Sequence, residues 1–203
     1  MASYCQNKII IFLMGLCFCC CTYRNENSHP KEPYLLTPED KALLQNGDII
    51  LRKGEGFLSQ FICNQLNDTI DVSHCGIIIR NQDQLQVIHA LSKDVSDIDG
   101  VQSCSIDQFT QESVKASTYI VRFKGDSTHL LASQAQYYLS IRKPFDRLFD
   151  LHDTTSFFCS ELVFHILKTY LGKDLMQGQS TPKFSLFLNP EIFDIIYSNE
   201  REK

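Results

Sequence analysis

Two runs rich in β-branched residues, VSHCGIIIR (Val72 to Arg80) and LQVIHAL (Leu85 to Leu91), are separated only by the polar stretch NQDQ. This pattern predicts a β-hairpin. If the loop holds Asn81 and Gln82, or the four residues Arg80 to Asp83, then Ile79 pairs with Gln84 and His74 falls directly opposite His89. Directly opposed side chains share a face, with Cβ atoms roughly 4.5 to 5.5 Å apart, near enough for one imidazole to orient the other. A register shift of two would leave the histidines diagonal on one face, and a shift of one would separate them. Gly76, lacking a side chain, leaves space beside His74 for another element to approach. Cys75 alternates with His74 and is expected to point into the core.

The stretch TTSFFCSELVFHIL (Thr154 to Leu167) supplies the complement to a histidine pair. Leu162, Val163, Ile166, Leu167 and Tyr170 repeat at helical spacing, and Ser156 as N-cap would put Cys159 at the third helical position. Unpaired N–H groups and the helix dipole favour a thiolate there. The bland alternative is a small buried core residue. Together the three residues give a division of labour: Cys159 as nucleophile, His74 as general base and then acid, His89 as the orienting third residue.

With these segments in view, GDIILR, SHCGIII, VIHA and KPFDRLFD…FFCSELV resemble the permuted papain-like amidases of the YiiX/YaeF type. These are relatives of the NlpC-type cell-wall peptidases and of the lecithin-retinol acyltransferase-like enzymes. The resemblance runs from about Leu44 to Gly172, and the histidine strand precedes the cysteine helix, which is the permuted order. It implies an α+β, circularly permuted papain-like fold, an antiparallel sheet packed against helices with the nucleophile at a helix N-terminus. It also implies Cys159 as nucleophile, His74 as base, and a polar third residue on the next strand. Many members carry an acidic residue at that third position; here it is His89, as in the acyltransferase relatives. No metal or cofactor is expected. Asp48 reads as a turn or strand-edge residue and Asp146 as a structural cap. Glu161 and His165 read as a helix-stabilising surface pair, and His129 and His152 have no evident partners. The backbone N–H of Cys159 is the candidate oxyanion donor.

The remaining elements follow from local signals. TPEDKALL predicts a short helix capped by Thr37, and Asn46-Gly47 a turn into the strand IILR. GFLSQFICNQL predicts an amphipathic helix, SIDQFTQES a helical turn, and STYIVRFK a strand with Tyr119, Val121 and Phe123 on one face. HLLASQAQYYLSI predicts a helix ending before Pro144, and Gly172 a C-cap for the cysteine helix. NPEIFDIIY is expected to be a short helix.

The N-terminus bears on location. Lys8 precedes IIIFLMGLCFCCC, an apolar run of 13 residues followed at once by polar sequence. That is the length of a signal-peptide core and short of the roughly 20 residues of a membrane span. The expected organisation is a lipoprotein-type signal peptide at 1–21, a polar linker at 22–36 and the catalytic domain at 37–203, with Cys19, Cys20 and Cys21 all candidates for lipidation. A plain secretory signal or an uncleaved anchor is the alternative. Most of the nine cysteines lie in this leader, leaving Cys63, Cys75, Cys104 and Cys159, which could form two disulfides but contain no CxxC pair for zinc.

With 24 acidic and 19 basic residues, net charge -5, nucleic acid is not expected as a partner. The expected protein is an exported cysteine hydrolase in the bacterial cell envelope, membrane-anchored by lipid and facing the periplasm or exterior. It would cleave an amide bond through an acyl-enzyme, with cell-wall peptides as one substrate class. The alternatives are a thiol acyltransferase with lipid or amine acceptors, and a non-catalytic envelope binding module.

Overall fold

The computed structural model describes residues 35–114, 117–179 and 181–199. The candidate leader and most of the linker lie outside them. Helix α1, Pro38–Leu43, forms where its signals stand: the Thr37 hydroxyl accepts the Asp40 N–H at 3.1 Å, and the Asp40 carboxylate accepts the Thr37 N–H at 3.1 Å. Two reciprocal caps make this short helix viable. Gly47 follows at φ 87°, and a Cβ there would stand 2.2 Å from the Thr128 carbonyl oxygen, so the turn into β1, Ile49–Arg52, requires glycine. Asp48 accepts the Gln45 N–H at 2.7 Å and pairs with Arg122 Nε at 2.7 Å, the turn role read for it.

After helix α2, Gly56–Leu66, the hairpin forms from β2, His74–Asn81, and β3, Gln84–Leu91. Strand β4, Gly100–Ser105, leads into helix α3, Ile106–Gln111, and then β5, Tyr119–Phe123. Helices α4, Thr128–Ser140, and α5, Cys159–Leu171, precede a 3-10 turn at Phe184–Leu188 and β6, Phe193–Ser198. The strands form one antiparallel sheet in the order β4-β3-β2-β1-β5-β6.

Alternation along the strands splits the core in two. Ile49, Leu51, Cys75, Ile77, Ile79, Tyr119, Val121 and Phe123 face Leu162, Val163 and Ile166 of α5 and Leu131 and Ala135 of α4. Ile50, Ile78, Val87 and Ile120 face the other way, toward Leu36, Leu44, Ile106 and Phe109. A fully buried isoleucine contributes about 1.5 to 3 kcal/mol, and Ile49, Ile50, Ile77 and Ile78 are all at 0% exposure, so the strand order is held from both faces.

Two expectations about these elements need correction, and one strand was not announced. The hairpin loop is Gln82-Asp83, neither Asn81-Gln82 nor the four residues Arg80 to Asp83: Asn81 pairs with Gln84 and Ile79 with Gln86, so the register is shifted by two from the expected one. Gln82 takes the positive φ of 53° that the tight turn demands. The segment NPEIFDIIY does not form a helix; residues from Phe193 on pair with β5 as the sheet's last strand, with Phe193 buried against Phe123 and Phe187. Strand β4 carries no alternating apolar pattern to announce it, because only its first residues are buried.

Candidate active site

His74 opens β2, and in the observed register Gly76 rather than His74 stands opposite His89. The histidines are therefore diagonal on one face. A Cβ on Gly76 would lie 3.2 Å from the His89 Cβ and 2.5 Å from Val87 Cγ1, so the bare position makes room for His89 itself and not for an incoming helix. His74 Nε2 reaches His89 Nδ1 at 2.8 Å. Two tautomer pairs satisfy that contact. Only the one in which His74 Nε2–H donates leaves His74 Nδ1 able to accept a proton, and a general base requires that one.

Helix α3 covers this pair with Phe109, whose ring stacks on His74 at 5.5 Å and meets the edge of His89 at 5.5 Å. The Arg52 guanidinium, cross-strand from His74, sits 4.7 Å from the Phe109 ring centre. Its Nη2 and Nη1 donate to the Glu112 carboxylate and backbone carbonyl, each at 2.7 Å. Neither Phe109 nor Arg52 has a local sequence pattern that marks it; only the sheet and α3 together bring them to the histidines.

Burial, then the Arg52 cation, then His89 hold His74 well below its ordinary pKa; burial and Arg52 push His89 down to about 3. Both rings are neutral at pH 7. The sign of the linkage follows. The unfolded chain binds these protons near pH 6.5 and the folded one resists, so stability is intact above about pH 6.5 and falls as the pH drops toward 3. Urea midpoints at pH 7.5, 6.0 and 5.0 should decline with a slope of up to about 1.4 kcal/mol per pH unit for each histidine, and His89→Gln should flatten the decline. An unchanged slope in His89→Gln would remove that ring from the acid response.

Cys159 is the first residue of α5, not the third helical residue as expected, and the N-cap is Phe158. The Ser/Thr cluster is occupied elsewhere: the Thr155 and Ser156 hydroxyls donate to the Asp153 carboxylate at 2.8 and 3.2 Å. Glu161 caps instead, accepting the Phe158 N–H at 3.2 Å. Burial, with Asp146, Asp153 and Asp150 nearby, pushes the Glu161 carboxyl up to about 8 against that hydrogen bond. Glu161 is thus a buried cap and not a surface partner of His165, whose Nε2 instead lies 3.0 Å from the Tyr138 hydroxyl.

The half-buried Cys159 reaches β2 from the side that carries Cys75. The Cys75 thiol, followed by the backbone N–H groups of Cys75, Ser160 and Cys159 itself, draws the Cys159 pKa down against burial. Cys75 moves the other way: burial and the neighbouring Cys159 push it well up, so it stays a thiol. Cys75 is a core residue as expected, but its contact with Cys159 was not legible from strand alternation.

The sulfur and the His74 ring approach the start of β2 from its two faces, Cys159 beside Cys75 and His74 beside Phe109. Among the described residues, no direct hydrogen bond joins the sulfur to the ring. The strand residues they stand beside or on, Cys75 and His74, are consecutive, with Cα atoms about 3.8 Å apart.

A family model described as permuted papain-like amidase enzyme, YaeF/YiiX, C92 family, matches residues 43–189, the span that carries both histidines and the cysteine helix. The chain belongs to this family. Among solved structures, the crystal structure of metalloprotein YiiX from Escherichia coli O157:H7 superposes with a TM-score of 0.60 at 20% identity, covering 77% of this chain and 98% of that one. The likeness fixes the fold: the permuted papain-like arrangement of the family is the six-stranded sheet and helices described above. A search of curated proteins finds no match.

Within this YaeF/YiiX member the secondary residues sort clearly. Asp146 is buried and accepts the N–H groups of Leu148 and Asp150 at 2.8 and 2.7 Å, shaping the loop before α5. His129 and His152 are exposed and outside the cluster. Cys63, Cys75, Cys104 and Cys159 are all free thiols.

Proposed function

We propose that this chain is an exported cysteine hydrolase that cleaves an amide bond, peptide or N-acyl, through an acyl-enzyme at Cys159. The observation that carries the reading is a sulfur with a lowered pKa, at the N-terminus of α5, beside the His74–Cys75 peptide. In the first half-reaction His74 Nδ1 takes the thiol proton and the sulfur bonds to the carbonyl carbon. The backbone N–H of Cys159, at the start of α5, is the donor for the oxyanion. The C–N bond then breaks, and His74 returns its proton to the leaving amine. In the second, water loses a proton to His74, attacks the thioester and releases the acid and the free thiol. His89 holds the His74 tautomer through the 2.8 Å contact.

A transferase reading is favoured by one observation, a histidine at the third position. With an alcohol or amine in place of water the same thioester yields an ester or amide. Among the described residues no three His, Cys, Asp or Glu side chains converge to hold a metal ion. Residues 1–21 are proposed as the lipoprotein-type signal that carries the domain, 37–203, to the cell envelope.

Alkylation tests the nucleophile. Burial first of all pushes Cys63 and Cys104 up to about 11, and Cys75 is raised as well. Iodoacetamide at pH 6 to 7 should modify Cys159 at least tenfold faster than the other three, read by peptide mass spectrometry. Equal rates at all four would count against a nucleophilic Cys159.

A further inference from the structure

Strand β1 reads IILR, and all four residues are buried. Three are aliphatic; the fourth, Arg52, is 5% exposed and is the Cα partner of His74 on β2. Directly paired residues put their side chains on one face of the sheet. The Phe109 ring joins them there, with the guanidinium carbon 4.7 Å from its centre and the His74 ring stacked on it at 5.5 Å. Arg52 Nη2 donates to the Glu112 carboxylate and Nη1 to the Glu112 backbone carbonyl, while Nε is buried with no acceptor among the described residues.

Stability does not account for this arginine. Taking a guanidinium out of water is costly, and a buried ion pair is often matched or bettered by an apolar side chain of similar volume. A buried N–H left without an acceptor adds to the cost. A position that breaks the local rule in this way, beside a candidate catalytic base, is where a functional charge is expected.

The His74–His89 contact shows what the charge does. At 2.8 Å one ring nitrogen must donate and the other accept. If the accepting ring takes up a proton, both facing nitrogens carry hydrogen and the contact is lost. A fixed cation on the same face opposes that proton. A cleft of about 460 Å³ beside His74 has Leu58 of α2, Ser73, Arg52, Glu55 and Glu112 among its lining residues. The charged and titratable groups around the pair are thus Arg52, Glu55 and Glu112, with the Cys104 and Cys159 thiols close enough to act on Arg52. Gln102, opposite His89 on β4, is uncharged, and Arg52 is the one cation in this set.

We propose that Arg52 is a positioning residue: its cation, held in place by Glu112, keeps the two histidines uncharged, so that the hydrogen bond setting the His74 tautomer persists at mildly acidic pH. The consequence for the reaction rests on the thiol hydrolase reading; the effect on the histidine pair stands on the geometry alone. Both rings are held below their ordinary pKa, with Arg52 second only to burial among the causes, in agreement with this role.

The test uses the full chain with ¹⁵N-labelled histidine, titrated between pH 4 and 8 by NMR, with His89→Gln to assign the pair. Arg52→Met keeps the stem and removes the charge, and should raise the protonation midpoint of the pair by about one to three pH units. Arg52→Lys should keep the parent midpoint to within half of that rise, and Glu112→Gln, which disturbs the same contact but leaves the cation, should not raise it. A merely structural role would make Arg52→Met and Glu112→Gln behave alike. An unmoved midpoint in folded Arg52→Met, or an equal rise in Arg52→Lys, overturns the proposal whatever the protein catalyses. On an acyl p-nitroanilide, the ratio of kcat/KM at pH 5 to that at pH 8 should fall at least fivefold in Arg52→Met. A raised midpoint with an unchanged ratio overturns the role in the reaction. A raised midpoint in a protein with no turnover and no acylated Cys159 overturns the hydrolase reading and leaves the role of Arg52 toward the histidines standing.

Discussion

Cys159→Ala is expected to reduce amide hydrolysis by about 10³- to 10⁶-fold, the range seen when a covalent nucleophile is removed and only binding and oxyanion donors remain. The fold should survive it. Cys159 is half-buried, α5 is capped by Glu161 and not by the thiol, and the stripe Leu162, Val163 and Ile166 that docks the helix is untouched. The check pairs a progress curve on an acyl p-nitroanilide with a urea midpoint for both proteins. Turnover within tenfold of the parent, with the midpoint unchanged, would remove Cys159 from the chemistry. Cys75→Ala is the informative companion. It deletes the first contributor to the lowered Cys159 pKa and spares the sulfur, so the pH at which Cys159 alkylates should rise while activity falls far less.

His74→Ala should cost about 10²- to 10⁴-fold in kcat, the usual worth of a positioned general base. His89→Gln should cost less, because Gln can still accept the His74 Nε2–H now held at 2.8 Å. The two differ in a further readout. Without His74 the alkylation of Cys159 loses the part of its pH dependence that depends on proton transfer to the ring; without His89 that dependence is displaced but present. His74 is buried against Phe109, so its deletion also leaves a cavity, and a thermal melt must accompany the rates. Full activity in a folded His74→Ala protein would mean the base lies elsewhere.

The hairpin shows how far sequence reading reached and where it stopped. Alternation put His74 and His89 on one face, and that survived a register two residues from the expected one, because a shift of two preserves the face. The loop itself was not fixed by pattern: polar NQDQ accommodates several turns, and the ladder from Ile77–Ile88 to Asn81–Gln84 selected one. In α5 the apolar stripe was legible, yet its start was misplaced by the Ser/Thr cluster, since a hydroxyl does not reveal in sequence whether it serves a backbone N–H or a neighbouring carboxylate. The tail from Phe193 was read by local spacing as a helix and became a strand because the edge of β5 offered it a ladder.

The sequence by itself therefore determined the type and order of most elements, the face shared by the two histidines and the cysteine at the head of a helix. These depend on periodicity and on neighbours within a few residues. Tertiary structure alone decided that Phe109 and Arg52 enclose the histidines, that the Cys75 thiol stands beside Cys159, and that α2 turns Leu58 toward the same cleft as His74. Each of these joins residues far apart in the chain, and such contacts arise from how the sheet orders its strands and which helix covers each face.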